Sequence, residues 1–161
     1  MSDSKRIQIL NAFRTKLQNI KVEDGYNFTP DKVYRDFIPY EVVSLSYDPV
    51  ICLLPGESLY HPLTSEEYTS GSSSNDIDGW FISVIGYVQA HNEEDDLINE
   101  MEKLIQDILT AMLTDHRIGL STFVANVHLR SIMPHFPSDQ DTKGIVQCIF
   151  TCKYDFNKSS P

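Results

Sequence analysis

The spacing of hydrophobic positions predicts a helix near the start of the chain. Between residues 4 and 20, apolar side chains recur every three or four positions, which is the period of a helix with one buried face. Ser2 or Ser4 can cap this helix, because a hydroxyl there accepts a hydrogen bond from a free backbone N–H. The apolar stripe consists of Ile7, Leu10, Phe13, Leu17 and Ile20. We expect a surface helix that buries this stripe.

A second helix is predicted to begin near Asn92, and it is more heavily buried than the first. Asn92 can cap its N-terminus, and the acidic residues at 93–96 fill the first turn, where the helix dipole favours negative charge. Helical spacing then produces a broad apolar face. Its members are Leu97, Ile98, Met101, Leu104, Ile105, Ile108, Leu109, Ala111 and Met112. Such a helix needs a sheet or another helix to cover that face.

Extended segments occupy much of the remaining chain. Alternation, or enrichment in β-branched and aromatic residues, predicts strands at 32–37, 50–54, 80–90, 121–133 and 145–156. The segment 50–54 is apolar throughout and lies between two prolines, which indicates a strand buried on both faces. Gly86 marks a bulge or a close backbone approach. The link 134–144 carries prolines and polar residues, so the last two strands should form an antiparallel hairpin.

These elements predict an α+β fold with a single mostly antiparallel β-sheet, packed by two α-helices and closing with a β-hairpin. The 161 residues fit a single domain, 1–161, that can bury a core without metals or disulfides. Residues 55–79 are rich in Ser, Gly, Glu, Asp and Tyr, and they predict a long mobile loop within it. A loop of that length is usually functional or becomes ordered against a partner.

The balance of charge restricts the class of partner. Thirteen Lys and Arg residues stand against twenty-three Asp and Glu residues, so the formal net charge is -10. That charge disfavours binding to nucleic-acid phosphates and to anionic lipid. The N-terminal segment lacks the apolar core of a signal peptide, and the longest apolar run, near 80–88, is shorter than the ~20 residues of a membrane span. We expect a protein made in the cytosol, with no membrane partner.

The spacing of the cysteines indicates core packing, and the sequence carries no metal-binding pattern. Cys148 and Cys152 alternate onto one face of the final strand, about 13 Å apart, which is too far for a disulfide. We expect both thiols in the core. The chain contains no phosphate-binding glycine loop, HExxH, CxxC or EF-hand pattern, and the acidic run at 93–96 fits the helix dipole without a divalent cation. The sequence therefore predicts no cofactor and no metal.

One group of polar residues leaves a second hypothesis open. Asp115 and His116 follow the second helix, where a protonated His is favourable beside the helix C-terminus. His128 alternates with Arg130 on the polar face of a strand. A small enzyme or ligand-binding domain would use Asp115, His116 and His128 in a cleft beside the second helix. Convergence of these three side chains in a pocket would favour that hypothesis.

The order of the elements resembles that of a known family. The chain opens with the helix RIQILNAFRTKLQNI, continues through a turn at Gly25 and Tyr26, and reaches a strand flanked by prolines. Later come the acidic-capped helix EEDDLINEMEKLIQDILTAML and the closing aromatic strand IVQCIFTCKYDF. In this order the chain resembles the tail terminator, or tail-completion, proteins of long-tailed bacteriophages and prophage elements. The resemblance covers nearly the whole chain, and residues 55–79 match least.

The resemblance implies a structural protein of the virion tail, made in the host bacterial cytoplasm. Its copies would form a homo-oligomeric ring, usually a hexamer, that caps the tail tube, stops its polymerisation and offers a docking face to the head. The implied partners are the tail tube protein and the head-tail connector protein, while DNA passes through the ring without specific binding. The family carries no catalytic residues, so we expect no enzyme. Another head-tail joining protein of the neck is the nearest alternative.

Interface residues are predicted from the exposed segments. A ring repeats one heterologous contact, which can use exposed strand edges and loop arms. We expect residues 55–79, the hairpin tip at 134–144 and the polar face of the strand before it to reach neighbouring molecules. The candidate interface residues are Glu57, Tyr60, Glu66, Tyr68, Asp76, Asp78, His128, Arg130, Asp139 and Asp141.

Overall fold

A computed structural model of the protein describes residues 3–39, 48–60, 76–90, 96–135 and 143–155. These residues form one five-stranded sheet in the order β1-β2-β3-β5-β4, in which β1 is parallel to β2 and every other neighbouring pair is antiparallel. Two helices pack on the sheet, so the α+β class predicted from the sequence is confirmed. The elements are α1 (Lys5–Gln18), β1 (Lys32–Tyr34), β2 (Val50–Tyr60), β3 (Asp76–Gln89), α2 (Leu97–Leu113), β4 (Val124–His135) and β5 (Lys143–Asp155), with a short 3-10 helix at Val22–Asp24.

The first helix begins as the sequence predicts, and its predicted apolar stripe is wrong only at Ile7. The hydroxyl of Ser4 accepts a hydrogen bond from the backbone N–H of Ile7 at 3.3 Å and caps α1. Ile9, Phe13 and Leu17 are buried, whereas Ile7 is 36% exposed. Ile9 lies four residues before Phe13 and shares its side of the helix. Ile7 lies about 120° from Phe13 around the helix axis. The prediction of Ile7 as a core residue is therefore wrong.

Aromatic contacts attach α1 to the sheet. The ring of Phe13 meets the ring of Phe150 edge to face, with 6.1 Å between centroids. The guanidinium of Arg6 lies 3.8 Å from the centre of the Trp80 ring and also donates a hydrogen bond to the hydroxyl of Ser58 at 2.7 Å. These contacts fix α1 over the middle strands β2, β3 and β5.

The second helix begins later than predicted. Asp96 is its N-cap, and the Asp96 carboxylate accepts a hydrogen bond from the backbone N–H of Ile98 at 2.9 Å, so the helix starts at Leu97 rather than near Asn92. An aspartate directly before the apolar face provides the cap that the sequence assigned to Asn92. Residues 91–95 lie outside the described ranges. Most of the predicted apolar face is confirmed, by the buried residues Met101, Leu104, Ile105, Ile108, Ala111 and Met112. Ile98 was predicted to belong to this face, but it lies in the first turn and is 56% exposed. Neither helix in the described ranges is long and apolar enough to cross a lipid bilayer.

Two glycines let α2 approach the sheet closely. A Cβ atom on Gly86 would lie 2.6 Å from Cδ2 of Leu104, and one on Gly144 would lie 2.5 Å from Sδ of Met101. Gly86 pairs with Val146 in a regular register. Of the two roles that the sequence left open for Gly86, the close approach is therefore correct.

The predicted loop at 55–79 is shorter than expected, because both of its ends are strand. β2 continues to Tyr60 and β3 begins at Asp76, with Leu59 paired to Gly79. The proline and glycine that suggested a loop lie at a register shift between Pro55 and Ser58, a bulge that tolerates both residue types. Trp80 holds this bulge, since its indole N–H donates to the carbonyl oxygen of Gly56 at 3.1 Å. Residues 61–75 lie outside the described part of the chain.

The last two strands pair antiparallel to each other, and they extend into the predicted link. Pro134 and His135 belong to β4, and Gly144 belongs to β5, while the connection at 136–142 is outside the description. Register shifts on β4 fall between Val124 and Asn126 and between Leu129 and Ser131. They interrupt the single alternation that the sequence predicted for 121–133. After the second shift, Ile132 lies on the helix-facing side of the sheet, where it pairs with the buried Cys148.

The close packing of α2 predicts a strong effect of a single methyl group at Gly86. We expect Gly86→Ala to lower the free energy of unfolding by about 1–3 kcal/mol, because Leu104 is fully buried and must move. Gly79→Ala in the same strand is the matched control, since its new Cβ would meet only Cγ2 of Thr151 at 3.7 Å. Urea unfolding of both variants measures the difference. Equal midpoints for the two variants would contradict close packing at Gly86.

Candidate interface on the second face of the sheet

The sheet has two faces, and the helices cover only one of them. On that face the apolar side chains of β2, β3 and β5 are almost completely buried. They include Ile51, Leu53, Trp80, Ile82, Val84, Val146, Cys148, Phe150 and Cys152. Because side chains alternate along a strand, the residues between them point to the opposite face. What covers this second face decides which surface the protein offers to partners.

One end of the second face is closed by the segment after β1. A small apolar cluster is buried there, and it consists of Val50, Cys52, Ile85 and Tyr87. Tyr34 and Ile38 pack against this cluster. The hydroxyl of Tyr87 donates a hydrogen bond to the carbonyl oxygen of Ile38 and fastens the segment in place.

No described residue covers the other end of the second face. Leu54 of β2 lies beside Ser83 of β3, and Ser83 lies beside Ile149 of β5, so these positions form one continuous surface. Large apolar side chains on this surface are exposed, by 38% for Leu54, 46% for Leu59 and 40% for Met133. We call the group Leu54, Leu59, Phe81, Met133 and Ile149 the open sheet face. Contiguous exposed apolar surface typically marks an interaction site.

The polar side chains within the open sheet face are satisfied by the sheet itself. The side-chain amide of Gln147 donates a hydrogen bond to the hydroxyl of Ser83 at 3.0 Å. The hydroxyl of Thr151 donates to the backbone carbonyl of His128 at 3.5 Å. Throughout the described ranges, no buried side-chain nitrogen or oxygen is without a hydrogen-bond partner. A partner can therefore cover this surface without stranding a polar group away from water.

Opposite charges stand at opposite rims of the open sheet face. Arg130 on β4 holds its guanidinium 5.4 Å from the centre of the Phe81 ring, and His128 is exposed on the same strand. Glu57 is exposed in the bulge of β2. Because β3 and β5 lie between β2 and β4, the two rims are about 14 Å apart. The open sheet face therefore combines apolar side chains with charges of opposite sign at its two rims.

The structure brings only some of the predicted interface residues to this surface. Glu57, His128 and Arg130 lie at its rims. Tyr60 ends β2, and Asp76 and Asp78 begin β3, but the description does not extend to their side chains. The remaining candidates, Glu66, Tyr68, Asp139 and Asp141, lie outside the described ranges. The apolar members of the open sheet face were not predicted as interface residues. Alternation predicts the face of the sheet on which they lie, but it does not predict that they are exposed.

Asp115 has a structural task in the turn that follows α2. Its carboxylate accepts hydrogen bonds from the backbone N–H of Arg117 at 3.1 Å and of Gly119 at 2.8 Å. The Arg117 hydrogen bond is the main reason that the pKa of Asp115 is lowered, and Gly119, Lys16 and His116 lower it further. The turn holds the buried Ile118 at a positive φ of 48°, which a β-branched residue rarely adopts. Asp115 therefore stabilises a strained turn.

Asp115, His116 and His128 were predicted to share a cleft, but they line neither of two grooves that described residues form. A groove of about 600 Å³ lies between α2 and Ile132 of β4, and one of about 310 Å³ lies beside Arg14 and β1. In the part of the chain that the structure describes, no group of three or more His, Cys, Asp or Glu residues is arranged to hold a metal ion.

Asp107 is a buried charge that the apolar pattern of α2 concealed. It is only 2% exposed. One carboxylate oxygen accepts from the backbone and side-chain N–H groups of Asn27, each at 3.0 Å, and the other accepts from the backbone N–H of Phe28 at 2.9 Å. Three charge-assisted hydrogen bonds explain why this carboxylate lies in the interior. The only sequence signal was an acidic residue among the apolar positions of a helix.

The cysteines lie in the core, as the sequence predicts for Cys148 and Cys152. Both are fully buried on the helix-facing side of β5, and Cys52 is buried on the other face. Burial raises the pKa of Cys148 and of Cys152 to about 12 and also raises the pKa of Cys52. Since the thiolate is the nucleophile, these thiols are unsuited to redox or catalytic chemistry in the folded protein.

Comparisons with known proteins give no family for the chain. The sequence matches no protein-family model, and no curated protein matches it at a significant level.

Thiol labelling tests the burial of the cysteines. We expect the native protein to react negligibly with a disulfide reagent such as DTNB in mildly alkaline buffer, because burial blocks access and suppresses ionisation. Three thiols should react once the protein is unfolded in guanidinium. Fast reaction of any cysteine in the native protein would contradict the packing of β2 and β5.

Proposed function

We propose that this protein is a structural tail terminator subunit, which assembles into a ring on the end of a bacteriophage tail tube. The ring stops polymerisation of the tube and provides the face on which the head docks. The observation that carries the proposal is the open sheet face, an apolar surface that the described residues leave uncovered on an otherwise well-packed fold. The order of elements in the sequence resembles that of the tail terminators. For this reason we propose a ring on the tail tube as the assembly.

The rims of the open sheet face are compatible with contact between copies. A twofold dimer brings the same surface of two copies together, whereas a ring joins two different surfaces of each copy. Glu57 and Arg130 stand at opposite rims, so Arg130 of one copy can approach Glu57 of the next. Charge complementarity of this kind also sets the register of the contact.

The chemistry of the described polar groups is consistent with a protein that works by assembly. Asp107 and Asp115 accept backbone hydrogen bonds that fasten Asn27, Phe28 and the turn after α2. The net charge of -10 suits a channel through which DNA passes without being held. Another head-tail joining protein of the neck has the same requirements, and it differs from a terminator in what is lost when it is removed.

Tail assembly without the protein tests the proposal. We expect overlong tubes without heads in electron micrographs of particles made without this gene product, because tube growth has no stop. Tubes of normal length that fail to join heads would move the protein to the neck. Normal virions would overturn the proposal and return attention to Asp115, His116 and His128.

Charge substitution on the open sheet face tests its role in that assembly. We expect the double variant Leu54→Glu and Leu59→Glu to fold with a stability close to that of the natural protein, because both side chains are exposed. It should fail to restore normal tails, since carboxylates cannot be buried against a neighbour. Ile7→Glu on α1 is the matched control, because Ile7 is 36% exposed and Leu54 is 38% exposed. Equal rescue by both variants would exclude the open sheet face as the contact.

A further inference from the structure

β4 is an edge strand, and part of its backbone faces outward. Among the described residues, β4 pairs only with β5. The N–H of Val127 donates to the carbonyl oxygen of His116 at 2.6 Å, so it points away from β5. In antiparallel pairing, every second residue turns its N–H and C=O away from the neighbouring strand. Leu129 therefore also faces outward, and the unpaired stretch begins there.

Pro134 shows where the unpaired stretch ends. It pairs with Val146 but has no N–H to donate, a position that a sheet tolerates where the backbone faces away from its neighbour. Because outward-facing and inward-facing residues alternate along the strand, the N–H and C=O of Ile132 also point away from β5. The stretch from Leu129 to Pro134 is about 20 Å long, which is the length of a typical strand.

A groove lined by both apolar and polar side chains runs beside this edge. Its volume is about 600 Å³, and Ile105 and Leu109 of α2 line it together with Ile132 of β4. Ile132 is 38% exposed. If a strand were added to β4, the side chains beside Leu129 and Ile132 would lie on the side of the sheet that faces α2. Those side chains would enter the groove, as in other cases of strand addition.

The charge of β4 specifies the other side of such a strand. Every titratable side chain on β4 is basic, although the chain as a whole has a net charge of -10. These side chains are His128, Arg130 and His135. Arg130 lies over Phe81, on the sheet face opposite the groove. Side chains of an added strand that point away from the groove would lie beside Arg130, where carboxylates are favoured.

We propose that β4 binds an extended segment of another protein, in which apolar residues alternate with acidic ones. Backbone groups of the segment pair with Leu129 and Ile132, its apolar side chains fill the groove under α2, and its carboxylates lie beside Arg130. This surface shares Arg130 with a rim of the open sheet face, but its backbone edge and its groove lie outside that face. The inference therefore goes beyond ring formation and does not require it.

The edges of a second copy do not match this surface. Antiparallel pairing of β4 with β4 of another copy would place like charges close together, because neither strand carries an acidic residue. The other edge of the described sheet is β1, which has three residues and begins at Lys32. It is shorter than the open stretch of β4 and offers no carboxylate to Arg130.

Peptide binding to the full-length protein tests the proposal. The probe is a capped synthetic peptide of about eight residues, in which glutamate alternates with valine and leucine. We expect it to bind and to shift the amide NMR signals of Leu129 and Ile132. A peptide with lysine in place of glutamate should bind at least about tenfold more weakly. A glutamate peptide N-methylated at alternate residues should not bind, because its edge cannot donate hydrogen bonds.

Two substitutions locate the contact. Arg130→Glu should reverse the preference between the glutamate and lysine peptides, and Ile132→Ser should weaken both. Leu59→Ser is the control, since Leu59 is exposed on the other face of the sheet and should leave binding unchanged. Absence of glutamate-peptide binding, equal binding of the charged peptides, or self-association through β4 in sedimentation would overturn the proposal. None of these outcomes depends on whether the protein terminates tails.

Discussion

The close approach of α2 to β3 and β5 is the contact on which the arrangement of the other elements depends. Gly86 and Gly144 leave the space that Leu104 and Met101 fill. This contact commits the helix-facing side of the middle strands to the core, where Phe13 and Trp80 then attach α1. Both helices pack on this one face of the sheet. Within the described ranges, the segment that carries Ile38 covers one end of the second face.

Elements with a strong local pattern were predictable from the sequence. The apolar face of α2 and the alternation along β5 are long and regular, so burial followed the pattern at Met101 and Cys148. On α1 only Ile7 was misassigned, because Ile7 and Ile9 are both apolar and only the position of the sheet selects Ile9. The strand ends at Tyr60 and Asp76 were missed because pairing between distant segments overrides the local preference of proline and glycine for loops.

The candidate site was less predictable than the fold, for a physical reason. The exposure of Leu54 and Met133 depends on where distant segments of the chain pack, and no local pattern encodes that. Asp107 was hidden in the same way, because its partners are the backbone N–H groups of a segment distant in sequence. The exposed positions of charged residues such as Glu57 and Arg130 were predictable, since charge is visible in the sequence and favours the surface.

An electron cryo-microscopy reconstruction of the assembled tail end is the most direct test of the central claim that this protein works through its open sheet face. The account predicts that a neighbouring subunit, or the last ring of the tube, lies against Leu54, Leu59 and Phe81, with Arg130 near a carboxylate of that neighbour. A ring in which this face is exposed to solvent, and in which copies meet elsewhere, would contradict it.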